Sequence, residues 1–178
     1  DMRELEIALA AIRKADADIA IWQSRQYDNR TGRTHLSPDR WEASAWPEVF
    51  DPRDHAARLF GAFRNWPWDK MFRREFLNEQ ELRFPALRRT EDLPFVCGAL
   101  ASASRIALIN KELYTYHVGA ESSSTQTLDR APLDFYEACR AFHDFLIKRD
   151  LWDTYRESYL PWVGLCVHVN MLGLQTPE

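Results

Sequence analysis

Residues 2–32 change periodicity within a few positions, and that change limits the folds open to the chain. Leu5, Ala8, Leu9 and Ile12 recur at helical spacing, so residues 2–15 read as an amphipathic helix. ADIAIWQSRQYD (17–28) follows at once and is rich in β-formers. It runs into DNRTG (28–32), whose Asp, Asn and Gly favour a turn. A helix feeding directly into a strand is half of an α/β unit. The expected fold class is therefore α/β, or α+β if the chain is a fragment: a partial sheet with flanking helices. With 178 residues there is room for one domain with a substantial core.

Residues 33–50 have no clean period and contain Pro38 and Pro47, so they read as a long loop. Asp51-Pro52 is a good helix start, Asp at the cap and Pro in the first turn, and predicts a helix to about Phe63. NWPWDKMFRREFLNEQELRF (65–84) begins as an aromatic loop, and its RREFLNEQEL suits a short helix. Thr90 or Asp92 caps the next helix, 92–103. RIALIN (105–110) and ELYTYHV (112–118) read as two short strands, and AESSSTQTLDRA (120–131) as a polar, mobile loop. Phe135, Ala138, Cys139, Phe142, Phe145 and Leu146 mark one helix. Leu151, Tyr155, Tyr159, Trp162, Cys166 and Val167 mark another, expected to kink at Pro161. The tail is all helical, which divides the chain into 1–130 and a C-terminal extension, 131–178.

The chain is 46% apolar and 13% aromatic, a composition that folds. Its net charge of −4 gives no general basic face, which argues against nucleic acid as a partner. Cys97, Cys139 and Cys166 lack CxxC or Cys/His spacing, so reduced, buried thiols in a reducing compartment are expected. The N-terminus has no signal-peptide pattern. LPWVGLCVHVNMLGL (160–174) is too short for a membrane span and carries His168 and Asn170. A cytoplasmic domain follows, with the inner face of the membrane as the alternative location. Asp1 opens on a helical pattern, which suggests a cut-out piece of a longer protein. Such a piece would expose sheet edges and apolar patches and self-associate as a homo-oligomer.

Three constellations carry possible chemistry. Glu91 and Asp92 stand side by side at a loop-to-helix junction. Helix capping alone explains an acid there. The functional reading is a general base that takes a proton from an attacking hydroxyl. In WPWDKMFRREF (66–76), Trp66 and Trp68 sit among Asp69, Lys70, Arg73 and Arg74. Flat rings and cations suit a sugar or a phosphate; core tryptophans beside a solvated charge run would look the same. His117 ends a strand in YTYHVGAESSST, where it can bind a metal or pyrophosphate, or simply lie on the surface. The Asp16-Ala-Asp18 triplet resembles a metal motif, but its place between helix and strand is explained by capping. The six glycines form no phosphate loop, and GxSxG, HExxH and zinc spacings are absent.

The order of these signals is more specific than any one of them. WDKMFRREFL, LRFP, EDLPF and RIALINKELYTYHVGAESSST together resemble the C-terminal half of family 2 glycosyltransferases with the GT-A fold. ADIAIWQSRQYDNRTG resembles the strand and turn that precede them in that family. The match covers about residues 1–125, and EDLPF to LYTYH is its most specific block. The resemblance implies an inverting transferase: an acceptor hydroxyl attacks the anomeric carbon of a nucleotide-sugar donor, and the diphosphate leaves. It implies Asp92 as the base with Glu91 as its neighbour in the acidic motif. Trp68, Lys70 and Arg73 would lie near the acceptor or donor cleft, and His117 at a diphosphate or metal contact. The family's nucleotide-binding half and its DxD motif for Mg²⁺ or Mn²⁺ lie upstream of the helix that begins this chain, and Asp1-Met2 resembles the pair just after that motif. The parent protein would use the metal, and this chain alone would not turn over. The reading is thus the acceptor-side, catalytic-base portion of an enzyme of bacterial-type polysaccharide or cell-surface glycan synthesis. Its partners would be a nucleotide-sugar donor and a glycan acceptor. The alternatives are a non-catalytic helical α+β interaction module, with Glu91-Asp92 only a cap, and a metal-dependent phosphodiesterase or nuclease, which needs more acidic ligands than the chain offers.

Overall fold

The computed structural model describes residues 2–37, 41–119 and 131–173. Helix α1 (Met2–Ala15) leads into strand β1 (Ile19–Asp28), as the change of period implies. Beyond β1 come β2 (Arg33–Leu36), β3 (Val49–Phe50), α2 (Leu59–Ala62), β4 (Lys70–Phe72) and α3 (Arg74–Glu79). Then follow α4 (Asp92–Ser102), β5 (Ile106–Val118), α5 (Asp134–Lys148) and α6 (Trp152–Gly173). The sheet runs β2-β1-β5-β3, with β4 also paired to β1. β1 and β5 are parallel, which requires a long crossover, here the segment carrying α2 to α4. β2 and β4 share the other edge of β1, both antiparallel, and β3 pairs antiparallel with β5.

Successive residues of β1 face opposite sides of the sheet and enter different cores. Ala20 and Trp22 meet Ala8 and Ile12 of α1, with Ile109 and Leu113 of β5. Ile19 and Ile21 meet the larger core, built from α4, α5 and α6, where Leu93, Leu100, Phe142, Leu146 and Tyr155 are fully buried. Covered on both faces, the start of β1 reads as a continuous apolar run rather than an alternation. The polar loop expected at 120–131 falls almost wholly outside the described residues.

Three expectations need correction. The two strands read at 105–110 and 112–118 are one strand, β5. Its register against β1 shifts on both sides of Gln23, so the polar Asn110-Lys111 step is a bulge and not a break. The loop at 33–50 holds β2, a 3-10 turn (Ala43–Ala45) and β3. β2 gives no apolar signal because all four of its residues are exposed. The helix expected at 52–63 is broken: Asp51 does cap it, accepting from the Arg53 N–H at 2.9 Å, but the first part is a 3-10 run that kinks at His55 before α2. The last helix, α6, is found as expected and holds Pro161 inside it. Glu157, whose carbonyl loses its usual donor there, is exposed, so water can replace it.

Cys97, Cys139 and Cys166, far apart in sequence, come from three neighbouring helices, and none forms a disulfide. Burial pushes the Cys97 thiol up. Cys166 donates its S–H to Cys139, which holds the Cys166 thiol up and draws that of Cys139 down. Native protein should therefore resist alkylation at Cys97 and Cys139 and react slowly at half-buried Cys166, while denatured protein should take up reagent at every thiol. Peptide mapping after iodoacetamide treatment reads this directly, and rapid native labelling of Cys97 would contradict the packing.

Among the described residues no helix is long and apolar enough to cross a membrane.

Candidate functional site

The site is organised by one buried lysine. The ammonium of Lys70, at the start of β4, is wholly inaccessible, with 0% side-chain exposure. It donates to the carbonyls of Arg64 and Trp66 at 2.7 and 2.8 Å and to the Asp69 carboxylate at 2.6 Å. A buried charge requires such partners, and here they tie the 64–69 loop to the sheet. Burial holds the Asp69 carboxyl above its ordinary range, with the Lys70 charge opposing.

The loop held in this way projects two indoles. Trp66 and Trp68 stack with centroids 4.7 Å apart and planes 19° apart. Trp68 also stacks on Tyr116 (5.2 Å, 8°) and Tyr114 (4.9 Å, 25°). Tyr114 and Tyr116 are alternate residues of β5 and so share one face of the strand. Each pair adds about 0.5–1.5 kcal/mol beyond simple burial. Four rings thus form a continuous ladder along the ends of the two parallel strands.

Asn65, next in the same loop, reaches the start of α4, where its amide donates to the Asp92 carboxylate at 3.2 Å. Thr90 enters the helix with φ of 59°, a left-handed turn that a side chain rarely adopts. Glu91 holds the cap position but makes no side-chain cap bond, so the capping role read for this pair is not made by Glu91. Asp92 is partly buried and its carboxyl is pushed up to about 6. Burial is the main cause and the neighbouring Glu91 charge the second, with the Asn65 hydrogen bond and nearby backbone N–H groups opposing. A carboxyl poised there is half ionised close to neutral pH, where a general base works best.

A cleft of about 360 Å³ is lined by Asn65, the partner of Asp92, and by Leu93, the residue after it; Asp92 itself is not in the lining. It is lined by the 64–66 loop, by Thr90 and Leu93 at the start of α4, and by α6 between Trp162 and Asn170. Volumes of about 300–1,000 Å³ are usual for small-molecule sites.

Trp68 stands in the ring ladder, and Glu91 and Asp92 at the start of α4 adjoin the cleft residues Thr90 and Leu93, though none of the three lines the cleft. Three other sequence candidates lie away from it, and their expected place there is corrected. Lys70 has all its donors engaged in the interior and presents no charge to a ligand. Arg73 is spent on the α1–β1 junction, donating to the Asp16 carboxylate at 2.7 Å and to the Ala17 carbonyl at 2.9 Å. The Arg73 hydrogen bond holds Asp16 below its usual range, and Asp18 accepts from the Ser104 N–H at 2.8 Å, so both acids of the triplet work as structural ties. His117 lies on the face of β5 opposite Tyr116, packed on Tyr27 at 5.0 Å and paired with Asn29 Oδ1 at 3.2 Å. Asn65, Tyr114, Tyr116 and the α6 wall were missed. The W-x-W and Y-x-Y alternations were the available signal, since each puts two rings on one side of an extended chain.

Among the described residues no group of three or more His, Cys, Asp or Glu side chains is placed to hold a metal ion. The described residues do not fit a metal site.

No protein-family model and no curated protein matches the sequence. The fold does have counterparts. The chain is similar to S. aureus TarS 1–349 in complex with UDP, with a TM-score of 0.54 and 20% identity over 80% of this chain and 36% of that one. It is similar to S. aureus TarS 1–349 without UDP at a TM-score of 0.53 and 20% identity, with the same coverage. To S. aureus TarS the TM-score is 0.54 and the identity 21%, over 81% of this chain and 22% of that one. TarS is a family 2 glycosyltransferase. The chain therefore shares the fold of part of such an enzyme and spans about a third of the TarS 1–349 chain.

Proposed function

We propose that this chain is the acceptor-side, catalytic-base portion of an inverting glycosyltransferase that acts on a nucleotide-sugar donor and a hydroxyl acceptor in glycan synthesis. The observation that carries the proposal is the Asp92 carboxyl. It is raised to about 6 and accepts a hydrogen bond from Asn65, which lines a cleft together with Trp66, the first ring of the ladder. The fold likeness to TarS, whose structure is described in complex with UDP, supports the donor class.

In this reading an acceptor hydroxyl enters the cleft and hydrogen-bonds to ionised Asp92. Its oxygen forms the new bond to the anomeric carbon as the bond to the nucleoside diphosphate breaks, and its proton passes to Asp92. Asn65 keeps the carboxylate aimed, and Glu91 raises its basicity through like charge. Trp66, backed by its stack on Trp68, offers flat surface to the C–H face of a sugar. The donor pocket and the divalent ion that the resemblance implies, Mg²⁺ or Mn²⁺, belong to the rest of a longer protein, and the chain by itself would be inactive. Such an enzyme would work in the cytoplasm, where nucleotide sugars are made.

Two experiments test the reading. In the chain itself, carboxyl NMR should show Asp92 titrating at about 6, and Glu91→Gln should move that titration to lower pH. An ordinary carboxylate midpoint for Asp92 would remove the base. In a longer protein with donor-binding capacity, Trp68→Ala should raise the acceptor KM about tenfold or more, while donor hydrolysis changes much less. Trp68→Phe, which keeps a stacking face, should recover most of the loss. Equal losses in both activities would assign Trp68 to packing alone.

A further inference from the structure

Residues 81–91, which lead into Asp92, form neither helix nor strand. Two of them, Glu81 and Thr90, have φ of 51° and 59°, values that residues other than glycine hold only when their surroundings impose them. Helix α5 supplies those surroundings at both ends of the segment. Arg149, at the C-terminus of α5, donates to Gln80 Oε1 at 2.7 Å and also to the Gln80 carbonyl. Asp134, at the N-terminus of α5, accepts from the backbone N–H groups of Arg88 and Arg89 on one carboxylate oxygen, at 2.9 and 3.0 Å. Between these ties Phe84 stacks on Phe95 of α4 with centroids 4.0 Å apart. With 15 residues, α5 is about 22 Å long and splints the segment from end to end. The Asp134 end is the one that meets the site. Arg89 runs into Thr90, which lines the cleft and whose carbonyl accepts from the Leu93 N–H at 3.1 Å, closing a turn around Asp92. An acid in the first turn of a helix ordinarily serves its own backbone and dipole. The Asp134 carboxylate is instead spent on a segment 45 residues earlier in the chain.

We infer that Asp134 is a positioning residue for Asp92: its carboxylate clamps the Arg88 and Arg89 N–H groups, fixes the left-handed turn at Thr90, and so sets where the Asp92 carboxyl lies among its neighbours. The inference rests on the base reading and adds to it a residue of α5. The role is geometric, since the like charge that acts on Asp92 is that of Glu91. A hydrogen bond to a charged acceptor contributes about 1.5–3 kcal/mol, and two N–H groups share this one.

The test follows two NMR signals in the chain: hydrogen exchange of the Arg88 and Arg89 amides, which reports local opening, and the titration of the Asp92 carboxyl. In the parent both amides should exchange slowly and Asp92 should titrate at about 6. Asp134→Ala should speed both amides about tenfold or more. It should also lower the Asp92 midpoint by about one pH unit, because a loosened turn lets water back to a carboxyl that burial had raised. Asp134→Asn keeps an oxygen that can accept from both N–H groups, and should leave exchange and midpoint as in the parent. Arg149→Ala frees only the far end of the segment and should move the midpoint much less than Asp134→Ala. Should the alanine variant fail to fold, Asp134→Ser suits the start of a helix but is one atom too short for the clamp, and should give the same two changes. Fast exchange of the two amides in the parent, or an unchanged Asp92 midpoint in Asp134→Ala, would overturn the inference and leave the base in place. A midpoint lowered as much by Asp134→Asn would also overturn it, since charge would then be the cause. An ordinary Asp92 midpoint in the parent would instead remove the base, and the inference with it, even if slow exchange at Arg88 and Arg89 showed the clamp intact.

Discussion

Asp92→Asn should lower sugar transfer by about 10²–10⁴-fold in a longer, active protein, the usual contribution of a positioned general base, and should leave nucleotide-sugar binding intact. The same substitution should make the protein more stable at neutral pH. In the folded chain the Asp92 carboxyl titrates at about 6 against an ordinary value of 3.8. Below 3.8 both folded and unfolded chains hold the proton, and the group has no effect on the balance. As pH rises from there to about 6, the unfolded chain ionises first, so the unfolded state gains and folding stability falls. Above that window the full penalty is present. At about 1.4 kcal/mol per pH unit it approaches 3 kcal/mol, and partial solvent access reduces it to about 1–2 kcal/mol. Asparagine carries no charge to desolvate, and its side-chain carbonyl can still accept from Asn65. Urea melts at pH 7.5 and at pH 3.5 check this: the variant should be more stable at the first and equal to the parent at the second. A loss of stability at pH 7.5, or retained transfer, would mean that Asp92 is a structural acid.

Lys70→Ala should be the most damaging single change near the site, at about 3–5 kcal/mol, the usual result of removing one partner of a buried ion pair. The Asp69 carboxylate would stay buried without its cation, and the carbonyls of Arg64 and Trp66 would lose their donor. The 64–69 loop would loosen, carrying Asn65 away from Asp92 and Trp66 away from Trp68. Asp69→Asn in the Lys70→Met background should restore part of the stability, because it removes the stranded charge and Met fills the volume. Equilibrium unfolding of the single and double variants measures the coupling. A lysine that contacted substrate would behave otherwise, with unchanged stability and weaker ligand binding. That outcome would return Lys70 to the ligand site.

What could be read in advance was local. The period change at residues 2–28, the Asp51-Pro52 start, the Asp92 start of α4 and the apolar stripes of α5 and α6 each depend on residues within a few turns of one another. The features that the sequence hides depend on partners. β2 is an exposed edge strand with no apolar alternation, and β3 is only two residues long, so neither has a signature of its own. Asn110-Lys111 looks like a chain break because a bulge is defined by the neighbouring strand.

The same division holds at the site. Local sequence chemistry determined that residue 92 would open a helix with a carboxylate, and that indoles and cations would crowd residues 66–74. Only the tertiary structure decided which of them meet a ligand. Lys70 turns inward because the 64–69 loop offers it three acceptors, Arg73 turns to Asp16, and the two indoles find Tyr114 and Tyr116 on β5. The basicity of Asp92 belongs to the same class. It comes from desolvation by packed neighbours and is tempered by Asn65, 27 residues away along the chain. Side-chain type is a property of the sequence, whereas the water a side chain loses is set by the residues that fold against it.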